Sequence, residues 1–159
     1  MARTLTDRFD SDVLSTEKQE QYATFRLGKE FFGVEVLHVQ EILKAQEMTP
    51  IPLAPNYVSG LINLRGQIVT AIDLGVRISE RHEPAKPKSM NLVVNSSDGV
   101  VSLLVDEIGD VLDVEKRLME PPPPTLHSIK SEYLKGVCKL EGELLLILDV
   151  DQILAIDKN

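Results

Sequence analysis

The chain has 159 residues, 43% of them hydrophobic, which is enough for one domain with a sizeable core. Its formal net charge of −8 makes nucleic acids and anionic membrane surfaces unfavourable partners, because like charges repel. Cys138 is the single cysteine, which excludes an internal disulfide and a multi-cysteine metal site. The N-terminal residues lack the apolar core of a secretory signal, and no run reaches the roughly 20 apolar residues of a membrane-spanning helix. We therefore expect a cytoplasmic protein with no direct membrane insertion.

The first predicted element is a β-hairpin that follows a flexible polar arm at residues 1–20. "QYATFRL" and "EFFGVEV" flank the dipeptide "GK", which is typical of a hairpin turn. "VLHVQEILK" fits a helical turn or a twisted strand, because its apolar spacing does not separate the two. The proline-rich "MTPIPLAPNY" predicts a loop or a sheet edge.

A second hairpin is predicted where a charged residue interrupts the most hydrophobic part of the chain. In "VSGLINLRGQIVTAIDL" two apolar runs flank Arg65 and Gly66, and glycine adopts positive φ at little cost. A charged linker, "SERHEPAKPKS", leads to a further hairpin made of "MNLVV" and "VVSLLVDEI". After the stiff connector "EPPPPTLHS", "YLKGVCKLEGELLLILDV" closes the ordered part, and a short helix follows with Asp149 or Asp151 as its cap.

The chain contains an internal repeat. "YVSGLINLRGQIVTAIDL" aligns with "YLKGVCKLEGELLLILDV" 76 residues later, and "GVEVLHVQEI" aligns with "GVVSLLVDEI" at an offset of 66. We predict a single domain at 21–156 made of two mostly β subdomains of about five strands each, at about 21–80 and 88–156. Neither is large enough to bury much alone, so two curled sheets or small barrels should pack together and leave a groove between them.

Residues that the two copies share are predicted to have structural roles. Four matched glycines are assigned to turns, and two matched aspartates at strand ends are assigned to caps rather than to acid–base chemistry. These residues are Gly60, Gly66, Gly136, Gly142, Asp73 and Asp149.

Arg65 is the residue for which two interpretations remain open. Glu41, matched with Glu107, needs a partner if it is buried, and Arg65 is the candidate because the second copy has Glu141 in its place. Arg65 is therefore either a solvated turn residue or a residue fixed in a Glu41–Arg65 pair or at a partner surface.

The sequence offers little catalytic chemistry. His38, His82 and His127 lie in separate segments without the spacing of a helical zinc site. No glycine-rich phosphate loop and no G-x-S-x-G elbow occurs, so no cofactor is expected. The rival interpretation is a small β-barrel hydrolase or isomerase, which would need a nucleophile–base pair or a carboxylate pair facing the groove, and Asp73 and Asp149 are the candidate carboxylates.

The second hairpin resembles CheW-type coupling proteins of bacterial chemotaxis arrays. The residues that carry the resemblance are Gly60, Asn63, Leu64, Arg65, Gly66, Asp73 and Leu74, and the similarity runs in order from about residue 20 to 156. Thr70 departs from the family pattern, which often has proline there. The resemblance implies a non-enzymatic scaffold made of two five-stranded, SH3-like β-barrel subdomains around a shared core, with short helices at connections and at the C-terminus.

The resemblance also implies partners and contact residues. The scaffold would connect the cytoplasmic tips of methyl-accepting chemoreceptors to the regulatory domain of a CheA-type histidine kinase, and it could pair with other CheW-like domains in arrays. The receptor tip would contact Val36, Val39, Ile68 and Val105 in the groove, although plain core roles for these residues stay open, and Glu41 and Arg65 would support the kinase side. A coupling protein of another chemosensory pathway, controlling surface motility or a second messenger, is the alternative within the same class.

Overall fold

The computed structural model describes residues 19–79, 89–97 and 99–155, and in this part the fold is mainly β. The strands are β1 Gln19–Leu27, β2 Glu30–Glu35, β3 Val39–Leu43, β4 Val58–Leu64, β5 Gln67–Asp73, β6 Met90–Ser96, β7 Gly99–Val105, β8 Glu107–Glu115, β9 Leu134–Leu140 and β10 Glu143–Leu148. The α-helices are α1 Leu74–Ile78 and α2 Val150–Leu154, and the 3₁₀ turns are η1 Val36–His38, η2 Lys116–Leu118 and η3 Ser131–Tyr133.

The predicted local elements are largely confirmed. β1–β2, β4–β5, β6–β7 and β9–β10 are antiparallel hairpins. The ambiguous "VLHVQEILK" forms both candidates in succession, because η1 is followed directly by β3. The predicted arm lies outside the described residues except for Gln19 and Glu20, which begin β1, and positions 80–88 of the charged linker also lie outside them.

The ten strands form two sheets of five strands. The first sheet has the order β8-β1-β2-β10-β9, and the second has the order β3-β6-β7-β5-β4. Each strand corresponds to the strand five places later or earlier in the chain, so that β3 corresponds to β8 and β6 to β1. Replacing every strand of the second order by its counterpart gives the first order. The repeat seen in the sequence is thus a pseudo-two-fold symmetry, and the prediction of two five-stranded β units is confirmed.

The sheets do not coincide with the two sequence halves, which corrects the predicted subdomains at about 21–80 and 88–156. The first sheet combines β1 and β2 with β8, β9 and β10 from the second half. The reason is that β2 is already paired on both sides, by β1 and β10, so β3 finds no free edge beside it. The turn η1 therefore carries the chain into the second sheet, and Asp106 carries it from β7 to β8 in the reverse direction.

Strand register also corrects the front part of the repeat. Gly33 pairs in parallel with Ile147, and Ser102 pairs in parallel with Ala71. Because Ala71 and Ile147 are equivalent, Gly33 is equivalent to Ser102, an offset of 69 rather than 66. At this offset Glu41 corresponds to Asp110, so its alignment with Glu107 was wrong. Shared residue types suggested the offset of 66, whereas the bulges that follow Val39 in β3 and Ile108 in β8 are themselves 69 residues apart.

Each sheet curls without becoming a barrel closed by strand pairing. The loop after β3 reaches β4 through paired hydrogen bonds between Thr49 and Leu61, of 2.9 and 2.8 Å. The loop after β8 reaches β9 in the same way through Glu120 and Val137, with both bonds at 2.8 Å. The edges are therefore joined by a short bridge in each unit.

Successive side chains of a strand point to opposite faces of its sheet, so the buried residues fall into three clusters: one core shared by both sheets and one smaller core inside each sheet. Phe25, Phe32, Leu103 and Leu148 belong to the large cluster, which takes residues from both sheets. Tyr22 and its neighbours fill the inside of the first curled sheet, and a separate cluster around Ile62 fills the second. Because the largest cluster lies between the units, neither unit is expected to be stable without the other.

Candidate functional site

The turn between β4 and β5, here called the Arg65 turn (residues 64–67), has an uncommon backbone. Arg65 has φ 54° and Gly66 has φ 85°, the combination found in two-residue type I′ hairpins. The Asn63 side chain supports the turn, because its Oδ1 accepts a hydrogen bond from the Gly66 amide at 3.0 Å. Glycine meets the requirement for positive φ at Gly66, whereas arginine at φ 54° costs about 1–2 kcal/mol.

The equivalent turn in the other unit is built differently. Gly142 has φ 83°, but Glu141 is not among the residues of the described chain that combine a side chain with positive φ. Lys139 stands where the first unit has Asn63. The two hairpins share a glycine, and the strained arginine belongs to the first unit.

Arg65 and Glu41 form an ion pair, which is one of the two interpretations that the sequence left open. The Arg65 Nη2 atom lies 2.6 Å from Glu41 Oε1, with 83% and 20% of the two side chains exposed. Glu41 lies on β3 and Arg65 next to β4, so the pair joins opposite edges of the second sheet. The other unit has acidic residues, Asp110 and Glu141, at both equivalent positions and cannot form this pair.

Fold stability does not account for Arg65. An exposed ion pair contributes about 0–1 kcal/mol, which does not clearly exceed the cost of a left-handed arginine. Asparagine or glycine would fit the turn better on conformational grounds. The solvated guanidinium, held in one place by Glu41, is therefore a candidate recognition group.

Three of the four predicted groove residues reach the surface at least in part. Ile68 is 60% exposed beside the Arg65 turn, and Val36 and Val39 are partly buried against the shared core. Val105 is 0% exposed, so the prediction that it offers a contact surface was wrong. It ends β7, which is covered by a strand on each side, and its side chain points into the shared core.

Exposed apolar residues were missed by sequence reasoning. Leu53 is fully exposed at φ 61°, and Leu37 is nearly as exposed in η1. Leu53 follows Pro52 in a turn where Ala54 N donates to Ile51 O at 3.4 Å, and this position ordinarily requires glycine or asparagine. The sequence around Leu53 does not indicate that it is exposed, because a leucine is ordinarily predicted to lie in the hydrophobic core.

The matched aspartates are helix caps, as predicted. Asp73 accepts a hydrogen bond from the Val76 amide at 3.3 Å, and Asp149 accepts one from the Gln152 amide at 3.2 Å. They end strands of different sheets. Each carboxylate already has a structural partner, which favours the cap over the acid–base pair that the enzyme interpretation needs.

Two of the matched glycines have a different role from the predicted one. Gly60 and Gly136 lie within strands, not turns, beside the bridges that join the sheet edges. A Cβ on Gly60 would lie 2.7 Å from Thr49 O, and one on Gly136 would lie 2.9 Å from Glu120 O. Their function is to let the bridging loop approach.

The pKa shifts of Cys138 and Lys135 have structural causes. Burial, with a smaller effect of Glu120, raises the pKa of the Cys138 thiol, which fits an unreactive core residue. A hydrogen bond to Glu35 raises the pKa of Lys135. No group of three or more metal-ligating side chains is found among the described residues, and no helix there is long and apolar enough to cross a bilayer.

Two five-stranded β units around one core, with the Arg65 turn at the edge of the second sheet, define the class of CheW-like folds. The family described as "CheW-like domain" matches residues 21–158, and the chain belongs to that family.

Individual relatives agree with this assignment. The chain is 33% identical to "Chemotaxis protein CheW" of Treponema pallidum, over 86% of this chain and 83% of that protein. The crystal structure of the scaffolding protein TtCheW from Thermoanaerobacter tengcongensis matches with a TM-score of 0.79 at 25% identity, over 92% of this chain and 94% of that one. Protein FrzA of Myxococcus xanthus is 25% identical over 78% of this chain and 77% of its own length.

Proposed function

We propose that this chain is a non-enzymatic coupling scaffold that links chemoreceptor cytoplasmic tips to the regulatory domain of a CheA-type histidine kinase. Its relatives are named as chemotaxis and scaffolding proteins, which supports the class of function. The observation that carries the proposal is Arg65, a strained and exposed residue fixed by Glu41 and lacking a counterpart in the other unit. The scaffold would be cytoplasmic and held at receptor arrays by protein contacts.

The receptor contact is assigned to the apolar surface near the Arg65 turn. Ile68 extends the face of β5 that carries Ile72 into the shared core, and Val36 and Val39 lie partly exposed at the margin of that core. An amphipathic helical hairpin, such as a receptor tip, could lay its apolar face on such a surface. Val105 has no part in this contact, because it is buried.

A second candidate is the same coupling role in a different chemosensory pathway, for example one that controls surface motility or a second messenger. The similarity to Protein FrzA supports this second candidate, because that relative is not named as a CheW protein. Capture of receptor fragments from each pathway would distinguish the two, because the fold is common to both.

Replacing Arg65 with asparagine tests the proposal without breaking the turn. Asparagine accepts positive φ, so Arg65→Asn should keep the free energy of unfolding within about 1 kcal/mol of the parent. If Arg65 contacts a partner, the variant should co-sediment about ten-fold less with receptor fragments and kinase, and should lower kinase flux in proportion. Sedimentation, a kinase assay and urea unfolding measure these effects.

Arg117→Asn is the matched control, because Arg117 is also an exposed arginine paired with a glutamate, at 2.8 Å from Glu115. It should leave co-sedimentation and kinase flux unchanged. If the parent chain captures neither partner, the coupling proposal is wrong. If the parent binds and both variants bind equally well, the role of Arg65 is confined to the turn.

A further inference from the structure

Arg77 contacts both halves of the molecule at once. Its guanidinium carbon lies 4.7 Å from the ring centre of Tyr57 and 5.1 Å from that of Tyr133, which are equivalent residues of the repeat. Its Nε donates a hydrogen bond of 3.2 Å to the carbonyl oxygen of Ile153. Ile153 is the counterpart of Arg77 itself, so Arg77 lies beside the pseudo-two-fold axis.

The two tyrosines also hold the caps of the two α-helices. The Asp73 amide donates to Tyr57 O at 2.7 Å, and the Asp149 amide donates to Tyr133 O at 2.8 Å. Both aspartates cap a helix, α1 and α2 respectively. The Arg77 side chain, on α1, thus contacts both tyrosines, and each tyrosine accepts a hydrogen bond from the aspartate that caps one of the helices.

The asymmetry of this arrangement has a physical reason. Arginines at both equivalent positions would bring two guanidinium groups towards one axis, where like charges repel. Ile153 is instead completely buried in the shared core. One position therefore supplies the charge that both rings face, and the other supplies apolar packing.

The shared core joins the units by apolar packing, which has little directional preference, and a backbone hydrogen bond of 2.9 Å from the Lys130 amide to the Ile78 carbonyl oxygen also joins them. A guanidinium over two rings and a charged hydrogen bond depend strongly on geometry. We infer that Arg77 is a positioning residue that fixes the orientation of the two β units about their pseudo-two-fold axis. This inference concerns the chain alone and holds whichever partner the scaffold binds.

Pulsed electron resonance between one spin label in each unit tests the inference. Gln67 in β5 and Glu141 in the turn between β9 and β10 are exposed sites, one in each unit, and a Cys138→Ala background of the full chain prevents labelling of the native thiol. The parent should give a narrow distance distribution. Arg77→Leu should broaden it about two-fold, and Arg77→Lys should give an intermediate width, because lysine keeps the charge over the rings and loses the Nε hydrogen bond.

Hydrogen exchange supplies a second measurement in the same variants. The amides of Asp73 and Asp149 should both exchange about ten-fold faster in Arg77→Leu, and by more than the central strands β2 and β7, which report global unfolding. Arg26→Leu is the matched control, because it removes a cation–π contact of 4.5 Å to Phe31 inside one sheet. The inference would be overturned if the spin-label distance distribution had the same width in both Arg77 variants as in the parent, or if exchange became faster at Asp73 alone. If Arg77→Leu does not fold, the same measurements on Arg77→Lys test the inference.

Discussion

Arg65 and Leu53 are the two non-glycine residues of the described chain with positive φ. Arg65 has an ion pair and a neighbouring asparagine that hold it, whereas Leu53 projects fully into solvent from a proline-rich turn. Neither conformation is the one that its residue type prefers. At the scale of single residues, backbone strain therefore coincides with exposure in the loops and turns of the first sequence half.

Leu53→Asn should stabilise the fold. Asparagine tolerates the left-handed conformation, so the free energy of unfolding should rise by about 1 kcal/mol. Leu37→Asn is the control, because Leu37 is also strongly exposed but has an ordinary φ. Urea unfolding of both variants measures the difference, and equal shifts would show that strain at Leu53 is absent.

At the scale of elements, the joined sheet edges depend on two glycines that the repeat places in equivalent strands. Gly60 lies against the backbone of Thr49, and Gly136 lies against Met119 and Glu120. The turn glycines Gly66 and Gly142 have open space where a Cβ would stand, so they are needed only for their φ. The sequence identified all four residues but could not separate close approach from turn conformation, because the approaching loop is distant along the chain.

Gly60→Ala should cost more than Gly142→Ala for this reason. The new Cβ at residue 60 must push back the bridge at Thr49, which we expect to lower the free energy of unfolding by about 2–3 kcal/mol. Gly142→Ala adds only conformational strain of about 1 kcal/mol. Chemical unfolding compares the two variants, and a cost at residue 60 no larger than at residue 142 would contradict the role assigned to the bridge.

At the scale of the whole molecule, buried groups that retain their protons contribute to the way stability depends on pH in the alkaline range. Burial, and then a hydrogen bond of 3.0 Å to Glu20, raise the pKa of Tyr22. Burial is also the first cause that raises the pKa of Tyr133 and of Cys138. In each case the unfolded chain releases its proton at lower pH than the folded chain.

Stability should therefore be lost on the alkaline side. The contribution of these groups is complete below their unfolded pKa values and falls as pH rises from about 9 towards 12, because the unfolded state then releases protons that the folded state retains. Tyr22→Phe should make this fall shallower while changing stability at pH 7 by about 1 kcal/mol. Urea unfolding across this pH range measures the slope, and an equal slope in the variant would exclude Tyr22 as a contributor.

The sequence by itself determined the local elements and the family. Alternating apolar residues, the "GK", "RG" and "EG" dipeptides and the two capping aspartates lie within a few residues of the structures they specify. The Glu41–Arg65 pair was one of two interpretations that the sequence left open, since a charge in an apolar run needs a partner if it is buried, and the alignment of Glu41 with Glu107 was wrong.

Only the tertiary structure decided which strands share a sheet, which residues are equivalent and which side chains reach solvent. β3 crosses to the second sheet because both edges of β2 are occupied, and the burial of Val105 and the exposure of Leu53 follow from neighbours distant along the chain. The contacts of Arg77 with both tyrosines likewise arise from the symmetry of the assembled units. Strand partners and burial depend on the whole packing, which short-range patterns do not specify.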